Sequence, residues 1–92
     1  MTADEEKVVL RSLQRLPNVG PAFARDLLLL GILDPKDLKQ QNPEHLYDRL
    51  RQITGVKQDP CVLDTFRAVV HYVETGEARK WWEFTAMRKG PS

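Results

Sequence analysis

The groups best placed to do chemistry in this chain are backbone amides rather than a catalytic set of side chains. Residues 16–24 read Leu-Pro-Asn-Val-Gly-Pro-Ala-Phe-Ala. Apolar residues at helical spacing lie ahead of this stretch (Val9, Leu13, Leu16) and behind it (Phe23, Leu27, Leu30), so two short helices are predicted on either side of a tight turn. Such a turn needs permissive backbone. Gly20 takes positive φ freely and Asn18 more readily than most residues, while Val19 between them points inward and pins the turn to the core. Pro21 fits the first helical position, where its missing N–H is no loss and its φ is already right. The helix start then offers unpaired amides and the positive end of a helix dipole, an anion site for which a nucleic-acid phosphate is the obvious occupant. The expected site is the backbone of Asn18, Val19, Gly20 and Ala22, with Arg15 and Arg25 adding charge. The competing reading is a helical corner that holds no ligand.

The turn resembles the helix-hairpin-helix motif of DNA-binding proteins, which usually reads Gly-apolar-Gly and is commonly followed by Lys or another polar residue that touches the phosphate backbone. Here Asn18 stands at the first glycine position, and Ala22 and Phe23 follow Pro21 where a basic or polar residue would help. The resemblance implies a non-catalytic module with weak, sequence-independent DNA binding through the hairpin backbone. The departures keep an alternative open, a protein–protein adaptor or regulatory domain with a degenerate helix-hairpin-helix.

A second candidate lies near the other end. Lys80, Trp81 and Trp82 follow Arg79, and two indoles beside two cations can stack on unpaired bases while pairing with phosphates, or can hold a protein partner. A tryptophan pair after a core helix can equally close an exposed end of that core. Lys7, Arg11 and Arg15 are spaced by four and share a helix face that reaches toward the turn, or form a solvated stripe.

Nucleophile and metal chemistry fare worse. Cys61, two after Asp59 and one after Pro60, falls in the opening turn of a helix, where the dipole favours a thiolate, but the neighbouring Asp59 opposes ionisation. A small packing residue is the default. His71 follows Cys61 at about 80° off the same helical face, and His45 belongs to another helix, so no ligand pair arises from local spacing. No Ser-His-Asp arrangement, phosphate loop or paired carboxylates are present. No catalytic residue, metal or cofactor is expected.

Composition sets the frame for these sites. Ninety-two residues with 41% hydrophobic and 29% charged side chains suit one globular domain. Net charge is only +1, less than a dedicated nucleic-acid binder usually carries, so any electrostatic footprint is local. Residues 1–60 balance, 61–75 are slightly negative, and 76–92 carry Arg79, Lys80, Arg88 and Lys89 against Glu77 and Glu83. No apolar run approaches a membrane span, and the acidic N-terminus does not read as a secretory signal. A single cysteine agrees with a reducing compartment. A cytoplasmic location is expected.

The elements that must position the sites are all helical. Asp34-Pro35, Asn42-Pro43 and Asp59-Pro60 each place a side-chain cap directly before a proline, and with Gly20-Pro21 they mark closely spaced helix starts. Helices are predicted over about 4–15, 21–30, 35–40, 43–53 and 60–75, with Gly31, Gly55 and Gly76 as stops. Leu38 anchors the short third helix, and Leu46, Leu50 and Ile53 face inward from the fourth. Val62, Leu63, Phe66, Val69, Val70 and Val73 make the fifth the central core helix. Arg67 pairs with Asp64 at i,i+3. Tyr47 and Tyr72 pack with their hydroxyls at the surface. A sixth helix from about Glu77 to Phe84 follows, with a core spanning about 5–85 and residues 86–92 frayed. The expected fold is an all-α single compact domain of five or six short helices with one helix-hairpin-helix unit and no internal repeat.

Several stretches together resemble the small bacterial pathogenicity-locus family: Leu-Pro-Asn-Val-Gly-Pro, Leu-Gly-Ile, Asp-Leu-Lys, Asn-Pro-Glu-His-Leu-Tyr at 42–47, Asp-Pro-Cys-Val-Leu-Asp-Thr-Phe-Arg at 59–67 and Lys-Trp-Trp at 80–82. Some members are labelled mitomycin-resistance proteins. The resemblance implies a helix-hairpin-helix-related fold and carries over no biochemical activity. The first half alone also resembles the C-terminal domain of competence-regulator proteins.

Overall fold

Four helix starts follow from one local device. In the computed structural model, which describes residues 1–89, proline occupies the first turn of α2 (Pro21–Leu29), of a 3₁₀ turn (Pro35–Leu38), of α3 (Pro43–Thr54) and of α4 (Pro60–Thr75). Asp34, Asn42 and Asp59 accept N–H groups of the turns they open, so each start loses orphan donors. α1 (Ala3–Gln14) is opened by Thr2, whose hydroxyl accepts from the Glu5 N–H. Gly31, Gly55 and Gly76 all stand at positive φ, where a side chain would be strained, and end α2, α3 and α4.

The last helix differs from its expectation. α5 spans Trp81–Lys89 rather than about 77–84. Glu77 is drawn out of helical geometry because its N–H donates to the Thr75 hydroxyl while its carboxylate engages His71 and Arg79. The start is fixed further along, where Glu83 Oε2 accepts the Lys80 N–H at 2.7 Å. Of the segment expected to fray, residues 90–92 lie outside those described.

Among the described residues the architecture is all helical, five α-helices and one 3₁₀ turn with no strand, folded as one globule around α4. α4 packs against α3, α5 and the 3₁₀ turn, while α1 packs on α2. Phe66 and Val69 of α4 meet Leu13, Leu16, Val19, Ala24, Leu27, Leu38, Leu46 and Leu50 in one buried cluster. Phe23 lies against Phe66 with ring centroids 4.9 Å apart. Each fully buried Leu or Phe adds about 1.5–3 kcal/mol of apolar transfer, which is what holds a β-branched helix such as α4 in place. Ile53 does not join this core: it is 47% exposed at the last turn of α3. Tyr47 is half-buried, and its hydroxyl donates to the Gln58 carbonyl at 2.6 Å.

The two helix pairs α1–α2 and α3–α4 share a pattern on either side of connections of different length. Each connection carries a left-handed residue followed by valine, Asn18-Val19 and Gly55-Val56, and leads into a helix with proline in its first turn. Leu13 and Leu50 precede the left-handed residues by the same interval, and Leu27 and Phe66 follow the two caps by the same interval; all four are fully buried. Letter-by-letter reading misses this correspondence, because the second connection is longer and exchanges Asn for Gly.

Candidate functional site

The corner between α1 and α2 is built from the end of one helix and the start of the next. The Arg15 N–H is shared between the Leu13 and Ser12 carbonyls, the Leu16 N–H donates to Leu13, and the Val19 N–H donates to Leu16 at 3.3 Å. Asn18 carries the positive φ, +72°, and Val19 is buried beneath it. Gly20 does not use the freedom expected of it. Its φ of −95° and ψ of −177° are extended, and a Cβ placed there would meet nothing within 4 Å.

Gly20 therefore contributes what it lacks. It occupies the N-cap of α2 without a side-chain acceptor, and its carbonyl takes the Ala24 N–H at 2.9 Å. The contrast with α4 is direct. At the matching position Asp59 places a carboxylate on the Cys61 N–H at 2.8 Å, so that helix start supplies its own anion, whereas α2 leaves the place open to solvent. Gly20, Ala22, Arg15 and Arg25 are all exposed around this start.

The structure brings the second candidate to the first. Asn18 Nδ2 donates to the Arg79 carbonyl at 2.7 Å, and Asn18 Oδ1 accepts the Trp81 N–H at 3.1 Å. The side-chain amide thus pairs with the backbone that enters α5, and it places Lys80, Trp81 and Trp82 beside the corner. The indoles divide the work. Trp81 is half-buried and Trp82 is 55% exposed, edge to face at 5.7 Å, with Lys80 Nζ 5.8 Å from the Trp82 ring centroid.

The local electrostatics are set by an ion cluster behind the tryptophans. The Glu77 carboxylate accepts from Arg79 and lies 2.9 Å from His71 Nε2. The hydrogen bond from Arg79, then that from His71, holds the Glu77 carboxyl below the ordinary glutamate range, and the same contact raises the Arg79 guanidinium. Next to Arg25, partial burial pushes the Asp26 carboxyl up. α5 is tied down on its other side by Asp64 of α4, fully buried, whose Oδ2 accepts the Thr85 hydroxyl at 2.6 Å. Arg67 reaches Asp64 at 3.9 Å as expected, but its closer partner is Glu44 of α3 at 3.0 Å.

The remaining candidates stay apart. Cys61 is half-buried and takes no part in a disulfide, His45 is exposed on α3, and His71 is held by Glu77 and by the edge of Phe84. Among the described residues no three His, Cys, Asp or Glu side chains converge as metal ligands, and no helix is long and apolar enough to cross a membrane. The parts that sequence reading missed are the Asn18 clamp and the Asp64–Thr85 tie. The one available signal for the clamp was an asparagine where a glycine would have satisfied the turn.

These features define a small all-helical domain in which α2 starts without a side-chain cap and an aromatic segment carrying Lys80 is fastened beside it. Residues 6–90 match the family described as Cdd1, pathogenicity locus, and the chain belongs to that family. It is similar to a mitomycin resistance protein, McrB, of Streptomyces lavendulae, 39% identical over 77 residues, which cover 84% of this chain and 73% of that relative. No solved structure matches the chain.

Proposed function

We propose that this protein is a non-catalytic, cytoplasmic helix-hairpin-helix module that binds DNA weakly and without sequence preference through the backbone of the α1–α2 corner. The observation that carries the reading is the empty cap of α2. Thr2, Asp34, Asn42 and Asp59 all supply side-chain acceptors to the helical starts they open, whereas Gly20 supplies none, and unlike Lys80 ahead of α5 it brings no side chain to the place at all. A phosphate oxygen at that place meets the amides of the first turn, with Arg15 and Arg25 on the exposed flanks.

The test is fluorescence anisotropy of labelled DNA at about 50 and 200 mM salt, the range over which phosphate contacts lose affinity. Binding that falls steeply with salt and is lost in Gly20→Glu supports the corner as the site. Binding unchanged in Gly20→Glu removes it. A second reading, a protein adaptor, is favoured by the bare apolar pair at the other corner, where Ile53 and Val56 are 47% and 58% exposed. It requires association that tolerates salt and ignores Gly20.

A further inference from the structure

Among the described aromatic residues, Trp82 is the one that remains mostly in water, although a tryptophan offers more apolar area for burial than any other side chain. Its ring is nevertheless held in place. The half-buried Trp81 stands against it at 83°, and the start of α5 is pinned through the Trp81 N–H to Asn18 and through the Lys80 N–H to Glu83. An exposed indole braced on one side by a second indole and carried on a pinned helix start is a stacking platform largely oriented before its ligand arrives.

The surroundings of that platform are charged rather than apolar, with one ammonium over the ring. Arg79 is engaged by Glu77, the Glu83 carboxylate accepts the Lys80 N–H, and the Lys80 ammonium lies 5.8 Å from the ring centroid as the cation nearest the indole face. A purely apolar partner would bury that ammonium at a cost, whereas a nucleotide matches both groups: a base face for the indole and a phosphate for the lysine. Duplex DNA hides its base faces within the stack, so such a site selects nucleic acid whose bases are unpaired.

We infer that the nucleic acid bound by this protein is single-stranded or carries an unpaired end, with one base stacked on Trp82 and a flanking phosphate paired with Lys80. This rests on the reading of the Gly20 corner as a phosphate site, and Asn18 joins the two, since it clamps the segment carrying the indoles to the turn that contains Gly20. Stacking accepts any base, in keeping with binding that has no sequence preference.

The experiment titrates the full chain with a short labelled oligothymidylate and with a blunt duplex of the same length at low salt, following anisotropy and tryptophan fluorescence. The single strand is expected to bind more tightly and to quench the indoles. Trp82→Ala should weaken strand binding about 5- to 150-fold and leave the duplex nearly unaffected. Trp82→Phe retains a stacking face and should keep most of the affinity, which separates stacking from damage to α5; circular dichroism confirms that both variants fold. Equal affinity for strand and duplex, insensitive to Trp82→Ala but abolished by Gly20→Glu, overturns the stacking inference and leaves the corner standing. Strand binding that needs Trp82 and ignores Gly20→Glu keeps the stacking and overturns the corner. Failure to bind either nucleic acid overturns both.

Discussion

Asn18 and Trp81 are joined across 63 positions of sequence, the side-chain carbonyl of one accepting the backbone N–H of the other at 3.1 Å. With the second bond, from Asn18 Nδ2 to the Arg79 carbonyl, the amide acts as a short pairing edge for the chain entering α5. A turn residue at positive φ therefore holds the segment in which the C-terminal helix begins.

The clamp can be separated from the turn by substitution. Asn18→Gly accommodates the left-handed backbone but removes both bonds, and should cost about 1–3 kcal/mol in urea denaturation. Asn18→Ala removes the bonds and adds the strain of a left-handed alanine, about 1–2 kcal/mol more. If Asn18→Gly were as stable as the parent, the asparagine would be there for its backbone alone.

Gly20→Asp reproduces at α2 what Asp59 does at α4. The backbone is extended and the space around the missing Cβ is open, so the aspartate fits and supplies a cap. Stability should be unchanged or higher by a few tenths of a kcal/mol, roughly the difference between Gly and Asp at an N-cap, while affinity for DNA falls because a carboxylate now occupies the anion position. Thermal melting and anisotropy read the two effects separately. A variant that melts higher and still binds DNA would place the phosphate contact elsewhere.

Much of the fold was legible because it rests on local signals. The cap-then-proline pairs located four helical starts, and Gly31, Gly55 and Gly76 adopt the left-handed conformation that stops require. Non-local choices were not legible. Ile53 keeps the 3–4 spacing of Leu46 and Leu50, but it lies in the final turn of α3, where the helix has run past the core. Glu77 has good helix propensity and still stays outside α5, because Thr75, His71 and Arg79 compete for its polar groups. The candidate site was legible as two separate stretches, and only the Asn18 bonds, spanning most of the chain, show that they form one surface.

The buried Asp64 makes a prediction about α5. Its Oδ2 accepts the Thr85 hydroxyl at 2.6 Å inside the α4–α5 contact. Thr85→Val keeps the shape and deletes that donor to a carboxylate with no solvent exposure, so a loss of about 1–3 kcal/mol is expected. Because the lost bond joins α5 to α4, amide exchange should quicken in residues 81–89 well before it does in α4. Equal acceleration in both helices would show that α5 cannot detach without unfolding the domain.

Acid should loosen the same helix from its other end. Arg79 and His71 hold the Glu77 carboxyl below the ordinary glutamate range, so the folded protein gives up this proton at lower pH than the unfolded chain does. The stabilisation is accordingly complete above the unfolded value and disappears as pH falls through the folded one. The group is exposed, and added salt should shrink the effect. In a carboxyl NMR titration the Glu77 midpoint should lie below the ordinary range, rise markedly in Arg79→Gln, and rise less in His71→Gln, since the arginine bond is the larger cause. The Arg79 carbonyl is also the acceptor for Asn18, so protonating Glu77 frees the residue through which the clamp acts. Trp81 and Trp82 fluorescence should therefore change over the same acidic interval as the Glu77 titration. A flat fluorescence signal across that interval would show that the ion cluster and the clamp are independent.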